Sequence, residues 1–261
     1  MKLLEKSDAW LSDAKNVHEG ERCFVVATGP SLNKCDLGLI KDNVSFGVNG
    51  IFLHPEFVPT YYVTISSFFW KDHVEEIRDV RCTRRILPTD LGQLDSDVPT
   101  SWISFKRPRY FAEDRSPLPV PPRFSTRPER IVYGGGTVVF VCLQLAYYMG
   151  FGEVVLLGVD HNYGRKEGTT SHGGYRVRAS EIASSHFSGN YFAPDTQVHL
   201  DLPAMERGYE LAREAFERAG RRIVNASPGT KLEVYPKVDY DSLFEEEEGA
   251  STAETVTVEG A

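Results

Sequence analysis

The sequence predicts an α/β domain, Rossmann-like and doubly wound around a mostly parallel sheet, with a proline-rich loop or lid inserted in it. Three observations carry that expectation. Short apolar runs alternate with helical or turn segments along most of the chain. The run Glu153 to Gly158 (EVVLLG) is apolar on both faces, as a strand in the middle of a parallel sheet has to be. Several runs end in turns rich in Gly, Asn, Ser, Thr and Asp, residue types suited to the carboxyl edge of such a sheet, where ligands bind.

Taken in order, residues 3–15 place Leu3, Leu4, Trp10 and Leu11 at helical spacing and predict an amphipathic helix. After Gly20, Cys23 to Ala27 reads as a buried strand that enters the turn Thr28-Gly29-Pro30-Ser31 and then a short helix. Val44 to Val48 (VSFGV), Tyr61 to Ile65 (YYVTI) and Arg85 to Leu87 are the next strands. Residues 106–128 hold six prolines among five arginines. Proline fixes φ and lacks an amide hydrogen, so this stretch can be neither a regular helix nor a central strand, and it predicts a long loop or lid. Gly134-Gly135-Gly136-Thr137 then leads into VVFVCLQLAYYMG, apolar nearly all round and ending at Gly150, which suits a helix buried against the sheet. Asp160 stands at the carboxyl end of the EVVLLG strand. Residues 203–219 form a second amphipathic helix, and Arg222 to Ala226 a last strand before Ser227-Pro228-Gly229. One domain over residues 1–244 accounts for all of this. Residues 245–261, acidic, small and polar, predict a disordered tail without chemistry.

Composition bounds the function classes. The hydrophobic fraction of 41% and charged fraction of 25% are those of a soluble globular protein, and no apolar run reaches membrane-spanning length. The first twenty residues carry charges throughout and lack the apolar core of a secretory signal, so the expected location is cytoplasmic, with peripheral membrane association left open. Cys23, Cys35, Cys82 and Cys142 are scattered and read as reduced thiols. A net charge of -8 argues against nucleic acid as a partner, although a local basic cluster could still meet an anionic ligand.

The stretch FVVATGPSLNKCDLGL, residues 24–39, opens like a nucleotide-binding turn. Gly29 permits backbone angles that other residues resist, so successive amides can converge on a phosphate where the next helix begins. It has neither the Gly-Lys-Ser/Thr ending of a P-loop nor the further glycines of a dinucleotide fold, and an ordinary turn also fits it. In a parallel sheet five turns meet at the carboxyl edge: Thr28 to Ser31, Asn49-Gly50, Gly134 to Thr137, Asp160 to Gly164 and Asn225 to Gly229. Together they outline a nucleotide cleft, in which amides meet phosphate and side-chain amides read a base or ribose. The segment SSHFSGNYFAPDTQVHLDLP adds His186, Tyr191 and His199, and with His161 and His172 it places four of the seven histidines within 39 residues. Histidine is suited to take a proton from a hydroxyl. No pair of these has the spacing of a usual zinc set, so no bound metal is expected.

Six stretches in order, KNVHEGERCFVVATGPSLNKCDLGLI, SFGVNGIFL, PTYYV, LAYYMGFGEVVLLGVD, SSHFSGNYF and AMERGYELAREAFERAGRRIVNASPGTKLEVY, resemble the MptE-like family of bacterial glycan-biosynthesis proteins, often labelled 6-hydroxymethylpterin diphosphokinase-like. Across most of residues 15–244 the chain is also similar to bacterial lipooligosaccharide sialyltransferases, which transfer a nonulosonic acid from its CMP donor with inversion and without metal. The resemblance implies a metal-independent glycosyltransferase of polysaccharide biosynthesis, with a nucleotide-sugar donor, a glycan acceptor and no further cofactor. It places Thr28, Gly29, Pro30 and Ser31 against the donor nucleotide and Asn49 beside its ribose or base. Gly135, Gly136 and Thr137 match the stretch that holds the phosphate and the sugar carboxylate. Asp160 closes the matching strand end, and Asn162 or Tyr163 falls where a tyrosine contacts the leaving phosphate. The general-base histidine of those transferases aligns with Asn190, so His186, or His199 through a shifted loop, would take the role. Arginines of the 106–128 loop are candidates for the donor carboxylate or an acidic acceptor. The diphosphokinase alternative requires carboxylates to hold magnesium. Those kinases carry close aspartates after the third strand, where this chain has no carboxylate from Thr64 to Trp70. A non-catalytic nucleotide-binding protein of glycan assembly, keeping the cleft and lacking the base, is the third class.

Overall fold

The computed structural model describes residues 9–107, 122–163, 175–178, 185–188 and 197–245. Its strands are β1 (Arg22–Val26), β2 (Ser45–Val48), β3 (Tyr61–Val63), β4 (Arg84–Pro88), β5 (Thr100–Ile103), β6 (Phe105–Lys106), β7 (Val132–Tyr133), β8 (Glu153–Leu157), β9 (Tyr175–Arg178), β10 (Gln197–Leu200) and β11 (Arg222–Asn225). Seven of them form a sheet in the order β11-β8-β1-β2-β3-β4-β5, and every pairing in it is parallel. The α-helices are α1 (Ser67–Asp72), α2 (Val74–Asp79), α3 (Val138–Met149) and α4 (Leu202–Arg218), and residues 9–13 are helical too. No helix among the described residues is long and apolar enough to cross a membrane.

The period-two alternation of the central strands explains the layers. Cys23 and Val25 of β1, with Val154 and Leu156 of β8, pack with α3 and α4. Phe24, Val26, Val155 and Leu157 point the other way, into a second apolar cluster with Phe69 of α1, Ile77 of α2 and the short 3-10 turns. Both faces of the sheet are therefore covered, as parallel sheets require, and the doubly wound class expected from the sequence is the observed one. The chain runs outward from β1 to β5, then returns to lay β8 on the other side of β1. Connections leave these two strands in opposite directions, which opens a crevice at their carboxyl ends.

Two buried polar groups hold this arrangement. Glu153, at the start of β8, pairs with Arg22 of β1 and Arg222 of β11, so one carboxylate ties the amino ends of three neighbouring strands. Gln144 is wholly buried in α3. Its Oε1 accepts from the amides of Ser125 and Tyr133 at 3.0 and 3.1 Å, and its Nε2 donates to the Tyr133 and Phe140 carbonyls. This side chain joins β7 and the chain before it to α3.

The sequence reading differs from the structure in places. β5, with the sequence TSWI, carries no alternation that marks it, and β6 and β9 to β10 are too short or too polar to be read as strands. β3 ends at Val63 because Ser66 caps α1, accepting from the Phe69 amide. Of the proline-rich 106–128 stretch, residues 108–121 lie outside the described residues, as do 3–8 of the first expected helix and 246–261 of the acidic tail.

Replacing Gln144 by Leu keeps the volume and removes every one of these hydrogen bonds. The buried Ser125 and Tyr133 amides then lose their acceptor, at about 1–3 kcal/mol each. A urea-denaturation loss of roughly 2–6 kcal/mol at unchanged m-value is expected, and a loss too small to measure would mean that the amides find other acceptors.

Candidate functional site at the strand switch

The crevice is real and is built mostly by the turns that the sequence singles out. A cavity of about 80 Å³ is lined by Thr28 and Gly29 after β1, Asn49 after β2, Thr137 to Val139 at the start of α3, and Asp160 to Tyr163 after β8. Ser185, His186 and Tyr209 complete its wall. The fifth turn does not line it but braces it. Ser227 Oγ accepts from the Val159 amide at 2.8 Å, Thr230 Oγ1 donates to the Val159 carbonyl at 2.7 Å, and the Lys231 amide donates to the Asp160 carbonyl at 2.8 Å.

The β1 turn works differently from the expectation. Gly29 has φ of -67°, an ordinary extended value, so it does not supply left-handed backbone. What it supplies is room. Its amide donates to the Gly158 carbonyl at 2.8 Å, and a Cβ built on it would collide with that carbonyl oxygen and lie 2.7 Å from Asp160 Cγ. Gly158 is the residue that needs positive φ, at +66°. The Asp160 carboxylate turns back onto the β1 turn, where it accepts from the Ser31 amide at 2.8 Å and from Ser31 Oγ. A protein carboxylate thus takes the Ser31 amide that the sequence assigns to a ligand. Ser31 is buried, and neither it nor Pro30 lines the cavity.

The opening for an anion lies instead at α3, a helix of twelve residues whose amino end faces the cavity. Thr137 caps it by accepting from the Val139 amide at 3.3 Å. Unpaired amides and the helix dipole make such an end attractive to negative charge. Gly135 and Gly136 precede it without lining the cavity. Gly135 lies against the Phe140 ring, where a Cβ would meet Cε1 at 3.0 Å. Asn49 adopts φ of 45°, held by Tyr62, whose hydroxyl donates to its carbonyl at 2.8 Å, and by Thr64, whose hydroxyl donates to Asn49 Oδ1 at 2.8 Å.

Residues 185–188 close over the turn. The Phe187 amide donates to the Thr28 carbonyl at 2.7 Å, Ser185 Oγ donates to the Asn162 carbonyl at 3.1 Å, and His186 Nδ1 lies 3.3 Å from Thr28 Oγ1. Burial lowers the pKa of His186 from the ordinary 6.5 to about 4, because the imidazolium loses hydration there. His199 lies on β10, and its side chain is outside the described residues, as are Tyr191, Asn190 and His172. Two loop arginines are already engaged: Arg107 forks onto Asp90 and reaches the Ile65 carbonyl, and Arg127 pairs with Glu129.

Glu206 and Tyr209 of α4 were not singled out from the sequence, and His161 was counted only among the clustered histidines. His161 takes φ of 52° and sets Nε2 3.1 Å from Glu206 Oε1 of α4. Tyr209, one turn further along α4, is buried, and burial raises its pKa. The spacing of Glu206 and Tyr209, i and i+3 on a helix already read as amphipathic, was the available signal. A second cavity, of about 610 Å³, shares His161, Asn162 and Tyr163 with the first and continues along α4 to Lys231 and Val234.

A doubly wound parallel sheet with a polar crevice at its strand switch is the arrangement in which open α/β sheets hold their ligands. The chain belongs to the family described as 6-hydroxymethylpterin diphosphokinase MptE-like, whose profile matches residues 2–166 and so spans both strands of the switch. No curated protein matches the sequence significantly.

Two outcomes follow from this geometry. Gly29→Ala should destabilise the fold by about 1–3 kcal/mol, the usual cost of forcing an atom into a packed site, and this loss should appear in thermal melts without any ligand. His186 should make stability depend on pH. Its native pKa is depressed, so the unfolded chain binds the proton first, and stability declines as pH falls from 6.5 towards 4. At about 1.4 kcal/mol per pKa unit the decline is roughly 3 kcal/mol at most. In His186→Asn the slope over that window should be correspondingly shallower.

Proposed function

We propose that the chain is a nucleotide-dependent transferase of glycan assembly, sialyltransferase-like, that moves a sugar from a CMP-linked donor to a glycan hydroxyl. One observation carries this reading: at the strand switch a twelve-residue helix aims its amino end into a cavity walled by hydroxyl, amide and imidazole side chains. The phosphate suits the α3 end at Thr137 to Val139, and Thr28 and Asn49 suit the ribose or base. Asn162 and Tyr163 stand beside the same space and suit the leaving phosphate oxygen. Attack by the acceptor hydroxyl on the anomeric carbon breaks the bond from that carbon to the phosphate oxygen, and the nucleoside monophosphate leaves with the electron pair. Fixed dipoles aimed at that developing charge are an efficient form of catalysis. His186, neutral at physiological pH, is a hydrogen-bonding wall of the donor cavity.

The family description favours a second reading, pyrophosphoryl transfer from ATP with magnesium to a hydroxymethylpterin. Such chemistry works by positioning and charge neutralisation around the metal–phosphate group. The Asp160 carboxylate, the acidic group of the cavity, is engaged with Ser31.

A thermal-shift panel of CMP, UDP, GDP and ATP, each with and without magnesium, decides between the two. CMP alone should raise the melting temperature, and filling one site at 100 times its dissociation constant corresponds to about 2.7 kcal/mol. A shift confined to ATP with magnesium would establish the pyrophosphoryl reading in its place.

A further inference from the structure

We propose that His161, oriented by Glu206, is the proton-accepting catalytic residue and that the second cavity takes the acceptor. The proposal rests on the transferase reading and names the site of its second substrate. Three independent observations meet at His161. It lines both cavities, so it stands on the boundary that a hydroxyl entering from one side and a donor held in the other would share. Its backbone holds φ of 52°, a left-handed conformation that a histidine adopts at a cost and that clusters at functional sites. Its Nε2 faces the Glu206 carboxylate at 3.1 Å, with the imidazole itself almost wholly buried.

The chemistry follows from the pairing. A carboxylate at Nε2 keeps that nitrogen protonated and leaves the lone pair on Nδ1. The acceptor O–H gives its proton to Nδ1 as its oxygen bonds to the anomeric carbon, and the phosphate departs with the bonding pair. His186, by contrast, belongs to the 185–188 segment beside Thr28, and burial makes it a weak base.

The second cavity fits a hydroxyl-rich acceptor. Leu202, Leu232 and Val234 give it apolar surface, and Glu210, Arg213 and Lys231 add polar groups of both signs. Sugars present apolar faces and hydroxyls that both donate and accept, so this mixed lining suits them.

The test uses full-length protein, CMP binding by calorimetry, and turnover of a CMP-sugar donor, hydrolysis included. His161→Asn is the informative variant because asparagine tolerates positive φ and should keep the fold. It should bind CMP as the wild type does and lose roughly 100- to 10,000-fold in turnover. Glu206→Gln should lose at least about tenfold, since an amide can stabilise the wrong tautomer. The other groups facing this ring, Tyr163 and Tyr209, stay unchanged in both variants, as does Lys231 in the shared cavity. Nitrogen NMR of the wild type should show the proton on Nε2. Unimpaired turnover in His161→Asn, a proton on Nδ1, or CMP binding without turnover of any donor would each overturn the proposal while leaving nucleotide binding intact. Failure of the wild type to bind CMP at all would overturn the transferase reading and the proposal with it.

Discussion

The approach of β1 to β8 is the constraint on which the rest of the molecule depends. The two strands are the neighbours at which the chain reverses its direction across the sheet, and the crevice exists because their connections part there. Two glycines make the approach tolerable just past the strands. Gly29 has no side chain to strike the Gly158 carbonyl, and Gly158 turns through positive φ without meeting Ala27. The Asp160 carboxylate then locks the two turns together through Ser31. Every residue of the cavity floor takes its position from this junction.

The junction also decides how the site handles charge. The Ser31 amide at the β1 turn already serves Asp160, whereas the amino end of α3 faces the cavity. The floor is pinned by the Asn225 to Lys231 segment, and residues 185–188 are joined to Thr28, Asn33 and Asn162 by hydrogen bonds, with Phe187 packed against the second apolar cluster.

Much of this was legible in the sequence, and the limits were physical ones. The continuous apolar character of VVFVCLQLAYYM and EVVLL announced α3 and β8, because burial on all sides leaves no other composition. The convergence of the turns followed from a parallel sheet alone. What stayed hidden depends on partners far away in the chain. A glycine needed for lack of bulk looks the same as one needed for its backbone angles, and the Gly29 reading chose the wrong cause. Nothing near Asp160 discloses that its partner is 129 residues earlier, and His161 meets Glu206 across 45 residues. Gln144 is a lone polar residue in an apolar helix, and its purpose appears only once β7 is seen beside it.

Glu153 carries a consequence for how the molecule is assembled. It joins Arg22 to a strand 131 residues further along, so the central pairing cannot form until the chain has closed a loop comprising half the protein. Loop closure on that scale is entropically costly and rewarded late, and topologies built on such distant contacts fold slowly. The outer strands β1 to β5 follow one another in sequence and can be laid down in order, whereas the seam waits for β8. The cavity sits at the seam. The cavity walls that follow β1 and β8 therefore come together only when that loop closes.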